Sequence, residues 1–205
     1  MAKSPLPSKA PQPHPTHARA PERAVDRIRR AARDLFYRRG IRAVGVDEIV
    51  SESGVTKPSL YRSFASKDDL AASYLRDYEQ EFWDRFETSI KAHPGDPRAQ
   101  LLAFFAGLST RAARKNYRGC GLTNAAVEFP ERDHPARLVA EHHKRGLRAR
   151  LTAMSAALGA REPEVLADGL LLLIEGCYVS GQLFGEGGPA RHAARAAEAL
   201  IAASS

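Results

Sequence analysis

Apolar residues recur at three- and four-residue spacing along almost the whole chain, and no stretch alternates with the period of two that marks a strand. Over residues 21–39 the recurring set is Ala24, Ile28, Ala31, Ala32, Leu35 and Phe36, with Arg23, Arg27, Arg29, Arg30 and Arg33 on the other faces. Gly40 stands where that helix should end. Val46, Ile49 and Val50 mark a second helix over 46–53, broken by Gly54. A third, over 57–63, follows Thr56 as N-cap, carries Pro58 in its first turn and turns Leu60, Tyr61 and Phe64 inward. A short helix after a tight turn, with small polar and basic residues outward, suits the second helix of a helix-turn-helix.

Ser66 caps a long helix over 67–92, and Asp68 and Asp69 in its first turn suit the positive helix end. Its inner stripe is Ala71, Tyr74 or Leu75, Tyr78, Phe82, Phe86 and Ile90. Five aromatics, Tyr74, Tyr78, Phe82, Trp83 and Phe86, fall within thirteen residues. Such a cluster packs a core or lines an apolar cavity. Asp96 and Pro97 open a helix over 97–115 bearing Leu101, Leu102, Phe104, Phe105 and Leu108. Gly119-Cys120-Gly121 is a bend, and a short helix over 122–129 follows. Asp133 is expected to cap a helix over 135–158 with Leu138, Val139, His142, Leu147, Leu151 and Met154 on its apolar side, closed by Gly159. The last two helices cover 163–184 and 189–204. The first of them is apolar nearly all round and must be buried on two sides, one against a partner. The pattern predicts an all-α protein.

At 205 residues the chain can hold one or two domains with a real core. The net charge of +7 is uneven: residues 1–66 carry 13 Lys and Arg against 6 Asp and Glu, whereas residues 67–205 carry 18 against 18. The whole excess sits with the three short helices, which favours a polyanionic partner. Residues 1–20, with Pro5, Pro7, Pro11, Pro13 and Pro15 among Lys3, Lys9 and Arg19, read as a disordered basic tail. Two cysteines, Cys120 and Cys177, do not make a disulfide scaffold and fit a reducing cytoplasm. No apolar run reaches the roughly 18 residues that span a bilayer, and the N-terminus has no signal-peptide core. A cytoplasmic protein without a membrane partner is expected.

The run Phe36…Gly40…Val46-Asp47-Glu48-Ile49…Ser53-Gly54-Val55-Thr56-Lys57-Pro58-Ser59-Leu60-Tyr61-Arg62-Ser63-Phe64…Ser66-Lys67…Leu70 resembles the N-terminal domain of the TetR family of bacterial repressors. The family usually has a threonine before the second helix; here Val44-Gly45 stands in its place, leaving glycine as the cap. The resemblance implies a helix-turn-helix DNA-binding domain at 21–66 and a helical ligand-binding and dimerisation domain at 67–205. It implies that Thr56, Lys57, Pro58, Ser59, Tyr61 and Arg62 face double-stranded DNA. Lys57 and Ser59 are assigned to base edges, and Thr56, Tyr61, Arg62 and Lys67 to phosphates, with Arg42 and Arg23 as further phosphate candidates. It further implies that the last two helices pair with their copies in a homodimer, through Leu166, Leu170, Leu173, Cys177, Ala197 and Leu200. A dimeric reader expects a near-palindromic operator.

A small apolar or amphipathic effector is expected in the second domain. Tyr78, Phe82, Trp83, Phe86, Phe105 and Leu108 would form its walls, and Asn124, Glu128 and His142, with Arg145 beside them, could orient it. An alternative on the same scaffold is a thiol sensor of oxidants or electrophiles at Cys120, activated by Arg114, Lys115 and Arg118. A distant alternative is a helical enzyme built on His134, His142, His143, Glu128 and Cys120. Their spacing fits no metal motif, and the chain has no Gly-rich phosphate loop, nucleophile elbow or HExxH. No catalytic residue, metal or cofactor is therefore expected. The reading is a ligand-responsive transcriptional regulator, a repressor in the first instance.

Overall fold

The computed structural model describes residues 22–204, which form nine α-helices, one 3-10 turn and no strand among them. Helices α1 (Ala24–Arg39), α2 (Val46–Ser53) and α3 (Lys57–Ser63) close a small core of Ile28, Ala32, Leu35, Phe36, Ile41, Val44, Ile49 and Leu60, each 6 % exposed or less. Gly54 makes the turn between α2 and α3 in the left-handed region, φ 62° and ψ 32°, where a side chain would be strained. Ser53 is buried in that turn and satisfied, its hydroxyl donating to the Ile49 carbonyl at 2.6 Å.

Helix α4 (Lys67–Lys91) continues from this core into the rest of the molecule. Ser66 caps it as expected, its hydroxyl accepting the Asp69 N–H at 3.0 Å. Leu70, Ala71, Tyr74 and Leu75 are buried in its first half, where Tyr74 meets Phe36 of α1 with ring centroids 5.7 Å apart. Phe82 and Phe86 are buried in its second half against Phe104 of α5 (Pro97–Ala112), at 6.0 and 4.9 Å. Around it stand α6 (Gly121–Glu128), α7 (Pro135–Ala157), α8 (Pro163–Phe184) and α9 (Ala193–Ala203). One hydrophobic core runs without a break from Ile28 to Ile201.

Several boundaries and faces differ from expectation. Helix α5 ends at Ala112 rather than 115, and Asn116 turns the chain with φ 63°. Asp133 does not cap α7. His134 does, because its Nδ1 accepts the Ala136 N–H at 3.2 Å while its ring stacks on Phe129 at 3.8 Å. The segment expected to open the last helix is a separate 3-10 turn, Pro189–His192, and α9 begins at Ala193. The inner face of α7 is Ala136, Ala140, His143, Leu147, Leu151 and Met154, while Leu138 and His142 point outward. Both stripes have helical spacing. The small residues Ala136 and Ala140 let α7 approach its neighbours, and that selects the second. The proline-rich tail at 1–20 lies outside the described residues. No helix among the described residues is long and apolar enough to cross a membrane.

The rotation of α7 places His143 at 0 % exposure with neither ring nitrogen hydrogen-bonded. Its ring lies 4.6 Å from Phe82 and 5.5 Å from Trp83. Burial pushes the imidazole down to about 3, with the cationic Lys144 adding to it. The Glu79 carboxylate, 3.5 Å from Nδ1, does not reverse this. An unfolded chain takes up this proton near pH 6.5 and the folded one only near pH 3. Stability at this site is therefore intact above pH 6.5 and is lost as pH falls toward 3, on the order of 1 kcal/mol per pH unit. His143→Phe should flatten that acid limb in denaturant titrations run from pH 7 to pH 4. An unchanged slope would show that other groups carry it.

Candidate nucleic-acid interface and interior cavity

Helix α3 is anchored by one residue, Leu60, at 0 % exposure. That anchor turns the opposite face to solvent: Thr56, Lys57, Pro58, Tyr61 and Arg62 are exposed and Ser59 half-buried. Thr56 stands at the N-cap position with extended backbone, but its hydroxyl makes no capping bond. Lys57 Nζ rests 2.8 Å from Asp47 Oδ1 of α2, and this hydrogen bond raises the lysine's affinity for its proton. Both side chains are open to water, so the pair is weakly held and the ammonium can move to a stronger acceptor. Arg62 has no ion pair among the described residues, and Tyr61 is 46 % exposed. The surface has the donors and small contacts that a major groove requires.

Two residues assigned to phosphates are occupied elsewhere. Lys67 turns inward, its ammonium donating to the Ile41 and Val44 carbonyls, each at 2.9 Å. It ties the α1–α2 loop to the start of α4, and only its remaining donor is left for DNA. The Arg42 guanidinium faces the α6–α7 connection instead of the groove side, 3.2 Å from Glu131 and 5.0 Å above the Phe129 ring. Much of the basic charge on α1 is likewise paired: Arg23 with Asp26, Arg30 with Glu22, Arg33 with Glu81 and Arg39 with Glu48. The charge surplus of the sequence therefore overstates the bare positive surface.

The expected effector residues do not converge. Trp83, Phe86, Phe105 and Leu108 pack in the core or against it. His142 is exposed on α7. Asn124 donates to the Arg118 carbonyl at 2.7 Å. Glu128 accepts the Arg42 backbone N–H at 2.9 Å and fills the space beside Gly40, where a Cβ would lie 2.8 Å from its carboxylate. Gly40 also has φ 88°, so the α1–α2 loop needs glycine there twice over. Asn124 and Glu128 border only a shallow groove of about 410 Å3 between that loop and α6.

Tyr78 and Phe82 do line a cavity, of about 330 Å3, which Arg33, Asp34 and Tyr37 of α1 close on one side. Tyr74, Glu81 and Arg85 of α4, Arg111 of α5, the loop from Arg114 to Gly119, and Tyr178 of α8 complete it. Tyr37 fastens this loop to α1: its hydroxyl accepts the Arg118 N–H at 3.1 Å and lies 3.4 Å from the Gly119 carbonyl. Of its tyrosines only Tyr78 is in the expected set, and neither Arg85 nor Arg111 is. The five tyrosines come from helices and a loop far apart in sequence, so no local pattern announces them. Burial raises the Tyr74, Tyr78, Tyr117 and Tyr178 hydroxyls above their ordinary range, so they stay protonated.

Cys120 is not in an open bend. It is 1 % exposed at the start of α6, and its nearest cation is Lys144, with Nζ 3.9 Å from Sγ, instead of Arg114, Lys115 or Arg118. Burial pushes the Cys177 thiol up to about 11. The histidines of the enzymatic alternative are dispersed: His134 caps α7, His142 is exposed and His143 buried.

Residues 28–74, from α1 into the first turns of α4, match the model of the bacterial regulatory proteins of the tetR family. The repressor BdcR of Escherichia coli K12 is 41 % identical over 59 residues, which are 29 % of this chain and 28 % of BdcR. The activator FasR of Mycolicibacterium smegmatis is 46 % identical over 46 residues, 22 % of this chain and 21 % of FasR. The chain thus spans less than a third of the length of these curated relatives. Beyond that segment the fold itself agrees. A TetR-family transcriptional regulator from Streptomyces coelicolor superposes with a TM-score of 0.81 at 25 % identity, over 88 % of this chain and 95 % of that one. Residues 28–74 belong to the tetR family of DNA-binding domains, and the fold as a whole is that of TetR-family regulators. A second member, from Cytophaga hutchinsonii, shares the fold with a TM-score of 0.76 at 17 % identity, over 88 % and 94 %. The matched segment is the N-terminal helix-turn-helix, and the proteins it resembles are named as transcriptional regulators. With Lys57 assigned to a base edge, Lys57→Ala should weaken binding to the cognate operator roughly tenfold or more. Binding to random DNA should change far less. Gel-shift titration on both DNAs checks this; full-strength operator binding by the variant would remove the assignment.

Proposed function

We propose that the protein is a ligand-released repressor that binds a near-palindromic double-stranded operator as a homodimer in the cytoplasm. The observation that carries this reading is the cavity shared by α1 and α4. A small molecule inside it touches the helix that supports the reading domain and the long helix that joins that domain to the rest. Release of DNA follows if the ligand prefers an arrangement in which α1 has shifted. BdcR is named a repressor and FasR an activator, so the scaffold serves both ends. A ligand lodged under α1 loosens the DNA reader, which favours repression relieved by the ligand.

The dimer rests on α8. Leu166, Leu170, Cys177 and Ala197, expected at the interface, are at most 3 % exposed inside their own subunit, with Leu173 half-buried. The unpartnered face is the opposite one. Val165, Leu172, Val179 and Leu183 are 51–73 % exposed and, with Gly169 and Gly176 between them, follow heptad spacing. Ala199, Leu200 and Ala203 of α9 are exposed as well, and Phe184 closes the seam. A contiguous apolar seam of this kind suits the same seam on a second copy, related by a two-fold axis. Thr56, Pro58, Ser59, Tyr61 and Arg62, with Lys57, form the DNA surface. Tyr78 and Phe82 remain from the expected ligand set, joined by Tyr74, Arg85, Arg111 and Tyr178.

A second reading rests on the place of Cys120, next to the cavity-lining Gly119 and with its Sγ 3.9 Å from Lys144 Nζ. It makes Cys120 a sensor of small electrophiles admitted through the neighbouring cavity. A Cys120→Ser protein that still leaves its operator on treatment with N-ethylmaleimide would end that reading.

For the dimer, Leu172→Glu places a charge at the middle of the seam. It should give a monomer in sedimentation velocity and lower operator affinity about a hundredfold or more, because two half-sites no longer act together. An intact dimer in that variant would overturn the assignment of this face.

A further inference from the structure

The cavity between α1, α4, α5 and α8 holds two cations, Arg111 and Arg85, that keep donors without a hydrogen-bond partner. The Arg111 guanidinium is half-buried and makes no hydrogen bond or ion pair with any described residue. Arg85 has its Nε buried without a partner. The carboxylate nearest to Arg85 is Glu81, at 3.6 Å, and Glu81 is already held by both terminal nitrogens of Arg33. Burial, and after it the charge of Arg85, lower the Arg111 guanidinium from its ordinary range. A guanidinium withdrawn from water without an acceptor is costly, and the cost is removed when an anion arrives.

The remaining wall is aromatic. Tyr37 and Tyr78 lie nearly parallel, 27° apart with centroids at 6.3 Å, and Tyr74 meets Tyr78 edge-on at 6.2 Å. Tyr74 is 5 % exposed, and its hydroxyl has no hydrogen-bond partner. At about 330 Å3 the space is at the small end of ligand pockets, which begin near roughly 300 Å3. A flat body fits it better than a long flexible one. Arg114 and Lys115 are exposed at its rim and add positive charge at the entrance.

We propose that the cavity binds the monoanion of an aromatic carboxylic acid, with the carboxylate on Arg85 and Arg111 and the ring among the tyrosines. A carboxylate matches guanidinium in planar, paired geometry. Asp34 and Glu81 line the same space and oppose a dianion more than a monoanion, which selects against a phosphate ester. The consequence for DNA rests on the reading of this cavity as the effector site; the binding itself does not.

The test uses 2-naphthoate, its neutral amide 2-naphthamide, and naphthyl phosphate as probes on the full chain, read by calorimetry and thermal shift. Naphthoate should bind and raise Tm, and the amide and the phosphate should bind at least tenfold more weakly. Arg111→Met should lose tenfold or more of the naphthoate affinity. The same variant without ligand should melt at or above the wild-type temperature, because an unpaired buried charge has been removed, and that separates loss of the site from loss of the fold. Arg85→Gln should show the same loss. Equal binding of acid and amide, tighter binding of the phosphate, no binding of naphthoate, or undiminished affinity in both variants would each overturn the proposal. A neutral probe that releases DNA would overturn the anion class and leave the effector reading standing. Arginine-dependent naphthoate binding with no change in operator affinity would do the reverse.

Discussion

Burial of Leu70, Ala71, Tyr74 and Leu75 against the N-terminal trio, and of Phe82 and Phe86 against α5 and α7, makes one helix a member of both halves of the core. Close packing gives such a helix little freedom to move in one half alone. Helix α4 thus links Phe104 and His143 at one end to the ring of Phe36 at the other, and α1 in turn packs on α2 and α3. The cavity lies at the middle of this route, where α4 passes from one set of neighbours to the other, and the tyrosines around it are the side chains that fill the transition.

Polar contacts fix the joint more sharply than the apolar core does. The α1–α2 loop is held from three directions: Lys67 takes two of its carbonyls, Glu128 accepts its Arg42 N–H, and the Arg42 guanidinium rests on Phe129 and Glu131. The exposed pair Arg42–Glu131 contributes little by itself. The lysine and Glu128 bonds satisfy backbone groups near the core and count for more. Charge thereby serves two ends on α1. Part of it is spent on Glu81, Glu48 and Asp26, and the face of α3 keeps Arg62 and the loosely held Lys57 for a polyanion.

The exposed face of α3 was legible residue by residue because a helix-turn-helix is local. Gly54, Thr56, Pro58 and Leu60 set the turn, the start and the buried side of α3 within seven positions, and the same residues that shape the helix face outward from it. The cavity was half legible: Tyr78 and Phe82 follow from the aromatic stripe of α4, whereas Tyr37, Arg111, Tyr117 and Tyr178 reach it from three other elements. The α8 residues expected at an interface lie on the side its own subunit covers, since α8 is apolar nearly all round and its composition does not say which side that is.

By itself the sequence determined the helices, most of their ends, the family resemblance and the outward face of α3, because each depends on periodicity, caps and turns among near neighbours. Which stripe of α7 turns inward, which face of α8 stays bare, and which cations near α1 lack a partner were decided only by tertiary packing. Ala136 and Ala140 are small enough to let α7 roll His143 into the core, and Arg33 holds Glu81 at 2.8 Å while Arg85 stands 3.6 Å from it. Those outcomes depend on shape and distance between segments far apart in the chain, and spacing along the chain carries no record of either.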